Sequence, residues 1–256
     1  MKLIQSRDNP FFKQLKKLAE SGRERRKTSK TLLDGVHLVQ AFEAARGPVE
    51  SLIVAEGAAS HPEISALLAG REVTVLSDAL MRELGLVDTP SGLLAVVPMP
   101  AATATVNRKN DAILLDGVQD PGNVGTLLRT AAAAGIGQAL LSPGCASAWS
   151  PKVLRAGQGA HFAIAIHEDV DLLAFMSVYE GTSAVTCLDG STSLYAADWQ
   201  GSLAWVFGAE GQGVRPELIA AADLRIRIPM PGQVESLNVG AAAAVCLFEA
   251  VRRRLA

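Results

Sequence analysis

The chain is sparing with the residues that staple small secreted domains or build metal centres. Cys145, Cys187 and Cys246 are scattered, odd in number and without a C-x-x-C pair, which suits reduced thiols better than a disulfide framework. His37, His61, His161 and His167 show no ligand spacing, so no metal is expected. Aromatic residues are few, against an abundance of Ala and Gly. No apolar run is long enough and free enough of charge to span a bilayer, which excludes a membrane-spanning helix. The start, Met1-Lys-Leu-Ile-Gln-Ser-Arg-Asp, lacks the apolar core of a signal peptide. A globular, cytoplasmic protein of one large or two ordinary domains is the expectation.

Net charge is also small, at −2, but the charges are unevenly spread. Residues 1–30 carry Lys2, Arg7, Lys13, Lys16, Lys17, Arg23, Arg25, Arg26, Lys27 and Lys30 against Asp8, Glu20 and Glu24. A basic arm on an otherwise acidic chain points to a polyanion, most simply RNA. The RNA-contact candidates are Lys13, Lys16, Lys17, Arg23, Arg25, Arg26 and Lys27. On charge alone, a solvated helix face fits as well.

Asn9-Pro10 opens a helical pattern in which Phe11, Leu15 and Leu18 share one face, so Phe11 is assigned to the core. Strand patterns recur at residues 31–33, 51–55, 72–76 and 93–97, with helices at about 36–45, 62–68 and 78–84. This alternation predicts a small α/β domain over residues 1–98. Two prolines and small residues then mark a linker at 99–110. From residue 111 to 256 the α/β pattern restarts, with a largely parallel sheet expected.

Three strand ends in this second part deliver polar, Gly-rich turns. They are Asp116-Gly-Val-Gln-Asp-Pro-Gly-Asn-Val-Gly-Thr-Leu-Leu-Arg129, Gly208-Ala-Glu-Gly-Gln-Gly213 and Ile228-Pro-Met-Pro-Gly-Gln-Val-Glu-Ser-Leu-Asn238. In open α/β sheets, ligands collect beyond the carboxyl ends of strands. None of the three contains GxGxxG, GxxxxGK[ST] or GxSxG. A Rossmann dehydrogenase, a P-loop nucleotidase and an α/β-hydrolase therefore lose weight. The third turn crowds Gln233, Glu235, Ser236 and Asn238 before a helix, with Ser236 as its expected N-cap. Small residues from Gly240 to Ala244 in that helix suit close backbone approach, and Arg252 to Arg254 suit its negative end.

Taken in order, these stretches resemble the three motifs of the SpoU (TrmH-type) RNA ribose 2′-O-methyltransferases of the SPOUT class. Order and spacing agree over residues 112–254, and Ser150-Pro-Lys-Val-Leu-Arg155 also fits. Gly157-Gln158 departs from the Ser-Met often found after that arginine. More loosely, Ser6-Arg-Asp-Asn-Pro10 and Leu32-Leu-Asp-Gly-Val-His-Leu-Val39 are similar to the family's substrate-binding domain.

The resemblance implies an α/β SPOUT domain with a deep trefoil knot, usually dimeric. S-adenosylmethionine would bind at Gly208, Glu210, Gly211, Ile228, Met230, Ser236, Leu237 and Asn238. Catalytic roles would fall to Arg129, Asn123, Glu210, Ser236 and Asn238, with Arg129 the essential residue. A ribose hydroxyl is a poor nucleophile until its proton is drawn away and it is held in line with the methyl. The family proposal of Arg129 as the base strains chemistry, because a guanidinium stays protonated, so a phosphate clamp is the safer role. A base-modifying enzyme and an RNA-binding protein without catalysis are the competing readings. The separate N-terminal domain favours ribosomal over transfer RNA as target.

Overall fold

The computed structural model describes residues 2–86, 89–100 and 105–255. Part of the expected linker, residues 101–104, lies outside these. The chain forms two compact units: Met1–Ala101 with Trp149–Phe162, and Ala102–Ala148 with Ala163–Ala256. A contiguous division at the linker does not capture the segment Trp149–Phe162, which joins the first unit.

The first unit runs β1 (Lys2–Ile4), α1 (Pro10–Glu20), α2 (Gly22–Thr28), β2 (Lys30–Asp34), α3 (Val36–Arg46), β3 (Ser51–Ala55), α4 (Pro62–Leu68), β4 (Val73–Leu76), α5 (Asp78–Leu84) and β5 (Leu93–Pro98). Its sheet has the order β1-β4-β3-β5-β2. β1, β4 and β3 pair in parallel, and β5 is antiparallel to both β3 and β2. Asn9 caps α1, its side chain accepting from the Phe11 and Phe12 N–H groups, with Pro10 in the first turn. That start sets the helical phase so that Phe12, Leu15 and Leu18 are buried. The core aromatic is therefore Phe12, and Phe11 packs half-buried at its margin.

The basic cluster after α1 forms α2, capped by Ser21. Here one RNA-contact assignment fails. Arg25 is buried and donates to the Leu18 and Ala19 carbonyls at 2.8 and 3.2 Å, closing the end of α1. Lys13 pairs with Asp8 and Lys16 with Glu83, surface pairs of small net worth. Lys17, Arg23, Arg26 and Lys27 stay accessible to solvent.

The second unit holds β6 (Ala112–Asp116), α6 (Pro121–Ala133), β7 (Gln138–Leu141), β8 (Ala165–His167), α8 (Leu172–Met176), β9 (Thr182–Thr186), β10 (Thr192–Ser193), β11 (Leu203–Gly208), α9 (Pro216–Ala221), β12 (Leu224–Arg227) and α10 (Val239–Leu255). The helix between β7 and β8, α7 (Pro151–Gly157), belongs to the first unit. The sheet has the order β10-β12-β9-β11-β6-β7-β8, and every pairing in it is parallel. β6 is buried at all its positions, as a central parallel strand covered on both faces should be. Chain order departs in both directions from β6, so β6 and β11 flank a switch point of the kind where ligands bind.

The arginines ending α10 are tied down. Arg253 stacks over Trp199, 4.0 Å from the ring centroid, and donates to the Ala197 and Leu194 carbonyls. Arg254 pairs with Asp111. Glu249 accepts from Arg252 and Arg253, and these bonds draw its carboxyl down from 4.5 to about 2. An acid whose pKa is lower in the folded state binds fewer protons there than when unfolded. Its stabilisation is thus present above the unfolded value and is lost as pH falls toward the folded one. Thermal unfolding between about pH 5 and about pH 2.5 tests this, and Glu249→Gln should lose less Tm than the wild type. Parallel Tm curves would contradict the assignment.

A candidate cofactor and catalytic site at the strand ends

The turn after β11 is shaped by close packing. A Cβ on Gly208 would lie 2.2 Å from the Gly213 carbonyl carbon and oxygen, so no other residue fits without moving backbone. The loop bridges back on itself between Ala209 and Gly213. Asp116, buried at the end of β6, fastens it there. Its carboxylate accepts from the Arg215 backbone N–H at 2.9 Å, from Arg215 Nε at 2.8 Å and from Ser142 Oγ at 3.3 Å.

Beside this turn lies a cavity of about 410 Å³. Its walls come from the ends of β9, β11 and β12 and from the approach to α10. Phe207, Val214, Ile226, Ile228, Met230 and Leu237 give it apolar surface, and Glu210, Glu235 and Asp189 give carboxylates. Of the expected cofactor residues, Gly208, Glu210, Ile228, Met230, Ser236 and Leu237 line it. Gly211 lines a neighbouring cavity with Asp116 and Arg215 instead. Thr186, Cys187 and Leu188 also line it and were missed from sequence. The Asp189-Gly190 turn after β9 was the available signal, a fourth polar turn at a strand end.

Asn238 joins the loops chemically. It, and not Ser236, caps α10: its Oδ1 accepts from the Gly240 and Ala241 N–H groups at 2.9 and 3.3 Å. With the oxygen so engaged, the amide nitrogen must face the other way. Nδ2 donates to Glu210 Oε1 at 2.7 Å and to Asn123 Oδ1 at 3.0 Å. Asn123 Nδ2 in turn donates to Glu210 Oε1 at 2.6 Å. One residue from each loop thus meets in a closed triangle. Asn123 is free for this because Asp120 takes the α6 cap, accepting from the Asn123 N–H, with Pro121 next. Ser236 is exposed and lines the cavity. Arg129 is exposed on α6, six residues beyond Asn123, and no described residue pairs with it.

Residues 111–248 match the SpoU rRNA Methylase family, and residues 9–95 match the MRM3-like substrate binding domain. The chain belongs to the SpoU family. It is 34% identical to the 23S rRNA (guanosine(2553)-2′-O)-methyltransferase RlmP of Bacillus subtilis, across 97% of this chain and 98% of that one. Among solved structures, an RNA 2′-O ribose methyltransferase superposes with TM-score 0.85 at 30% identity, covering 99% of this chain and 100% of that one. The SpoU methyltransferase AviRb of Streptomyces viridochromogenes, solved with AdoMet, gives 0.82 at 25% identity, covering 97% and 99%.

In this SpoU chain Asn123 and Asn238 share Glu210, so their contributions to stability should not add. A double-mutant cycle with Asn123→Ala and Asn238→Ala, read by urea unfolding, should show a coupling of at least about 0.5 kcal/mol. Strict additivity would contradict the triangle.

Proposed function

We propose that this chain is an S-adenosylmethionine-dependent 2′-O-methyltransferase that modifies a ribose of ribosomal RNA. The observation that carries the reading is the Asn123–Glu210–Asn238 triangle set beside an apolar cavity made from the second and third loops. The cavity's size and lining suit a nucleoside-sized ligand. Ile228, Met230 and Leu237 would pack against its base, with the loop backbone beside Gly208 receiving its polar edge. The cofactor supplies a methyl group on a cationic sulfur, electrophilic enough to be taken by an oxygen. Glu210, accepting from both amides, holds the loops in register.

On this reading Arg129 acts on the other reactant. Its side chain is exposed and uncommitted, and the planar, forked guanidinium suits a clamp on RNA phosphate that draws the ribose into line. Lys17, Arg23, Arg26 and Lys27 add a phosphate-binding surface on the first unit, which serves as the RNA-binding domain. The same reading has the protein act in the cytoplasm as a homodimer, with a knotted second unit and no metal. The family resemblance supports the knot and the homodimer, and Phe248, 47% exposed on α10, offers the homodimer an apolar contact.

Arg129→Ala should lower methyl transfer to ribosomal RNA on the order of a hundredfold or more, with calorimetric cofactor affinity nearly unchanged. Wild-type activity in that variant would remove Arg129 from the mechanism, and transfer to transfer RNA alone would overturn the target. Replacing Lys17, Arg23, Arg26 and Lys27 by Gln should weaken RNA binding and flatten its log–log salt slope by about 0.7 or more for each phosphate no longer neutralised. An unaltered slope would reduce that stretch to a solvated face.

A further inference from the structure

The first unit contains a cavity of about 530 Å³ that shares no lining residue with the strand-end cavity. It sits at the turn after β2 and the start of α3, walled by the connection between β3 and α4 and by Arg155 and Gln158 of the α7 segment. Several features of this wall exceed what packing needs. α3 begins at Gly35 with no side-chain cap and no acidic residue in its first turn, so its leading N–H groups remain available as donors. Arg155 is held by one nitrogen only: Nη1 donates to the Asp34 carbonyl at 2.8 Å and to Asp34 Oδ1 at 2.9 Å. The rest of its guanidinium has no partner among the described residues, and 37% of the side chain is exposed.

Asp34 itself is fully buried. Its Oδ1 also accepts from the Ser91 N–H at 3.2 Å, while Oδ2 has no hydrogen-bond partner. Burial raises its pKa, against the pull of Ser91 and Arg155. Gly35 makes the arrangement possible, since a Cβ there would fall 2.6 Å from Arg155 Nη1 and its φ is +110°. His37 and His61, both exposed, line the cavity with Ala58 and Ile64.

A guanidinium and an uncapped helix start together suit a phosphate. Imidazoles beside apolar side chains suit the face of an unstacked base. A buried acceptor without a donor suits an amino group or a 2′-hydroxyl. We propose that this cavity takes up one unpaired nucleotide of the RNA substrate, held jointly by the substrate-binding region and by Arg155. The proposal rests on the RNA-modifying function above and deepens it. Its lining from Asp34 to Ser91 falls in the region matching the substrate binding domain, whereas Arg155 and Gln158 fall in the SpoU match. Both regions would thus grip the same nucleotide.

The test uses the full chain saturated with S-adenosylhomocysteine, so that nucleotides cannot occupy the cofactor cavity. Nucleoside 5′-monophosphates should shift the imidazole NMR signals of His37 and His61, leaving that of His167 in place. With unmodified ribosomal RNA transcripts, the His37→Ala/His61→Ala double variant and Arg155→Gln should each raise the RNA half-saturation about tenfold, with cofactor affinity unchanged. The two histidines are exposed and their side chains make no cap hydrogen bond, so their variant keeps the test valid should Arg155→Gln fail to fold. Wild-type half-saturation in the double variant would overturn the proposal, even if free nucleotides still shift the imidazoles, since that marks a free-nucleotide site only. A wild-type chain that methylates no RNA removes the proposed function and this pocket together, whereas an active wild type with an unaffected variant removes the pocket alone.

Discussion

The second unit depends on one side chain facing two ways. Asn238 uses its oxygen to cap α10, and this fixes its nitrogen on Glu210 and Asn123. No other side chain of that size offers an acceptor and two donors on opposite edges. Serine could cap the helix but could not reach both partners, and aspartate would set a second carboxylate against Glu210. The start of the last helix and the alignment of the three loops are therefore one constraint. A loop that moved would break a cap as well as a hydrogen bond, which ties local stability to the geometry of the site.

Small residues make room for this constraint. Gly240 lets α10 approach α6, because a Cβ there would lie 2.8 Å from Thr126 Cγ2. Gly208 does the same for the turn after β11, and Asp116 then holds that turn from below through Arg215. Substitution at Gly208 would displace backbone instead of a flexible side-chain end. At this edge the cavity is bounded by main chain packed on main chain.

Much of this was legible in the sequence, and the misses have physical causes. Strand and helix positions at residues 51–55, 62–68 and 78–84 followed from periodicity and from turn and capping residues at helix starts. The three polar turns also stood out, since each follows a strand pattern of the second part, where open α/β sheets bind ligands. The cap of α10 was misassigned where two good capping residues lie close together. Ser236 and Asn238 were both candidates, and α10 starts at Val239, directly after Asn238, whose side chain takes the first N–H groups. Arg25 looked like a surface cation because nothing local shows that the end of α1 leaves carbonyls in need of a donor. The affiliation of Trp149–Phe162 with the first unit was invisible, because it rests on contacts such as Thr31 Oγ1 donating to the Trp149 carbonyl across 118 positions of chain.

The central claim is that these loops direct a methyl group onto a ribose hydroxyl of ribosomal RNA. Incubating the purified chain with isotopically labelled S-adenosylmethionine and unmodified ribosomal RNA, then mapping the label by mass spectrometry of nuclease fragments, measures it directly. The account predicts label at a single nucleotide, on the 2′-oxygen of its ribose, in metal-free buffer. Label on a base, or none on ribosomal RNA while transfer RNA is labelled, would contradict it.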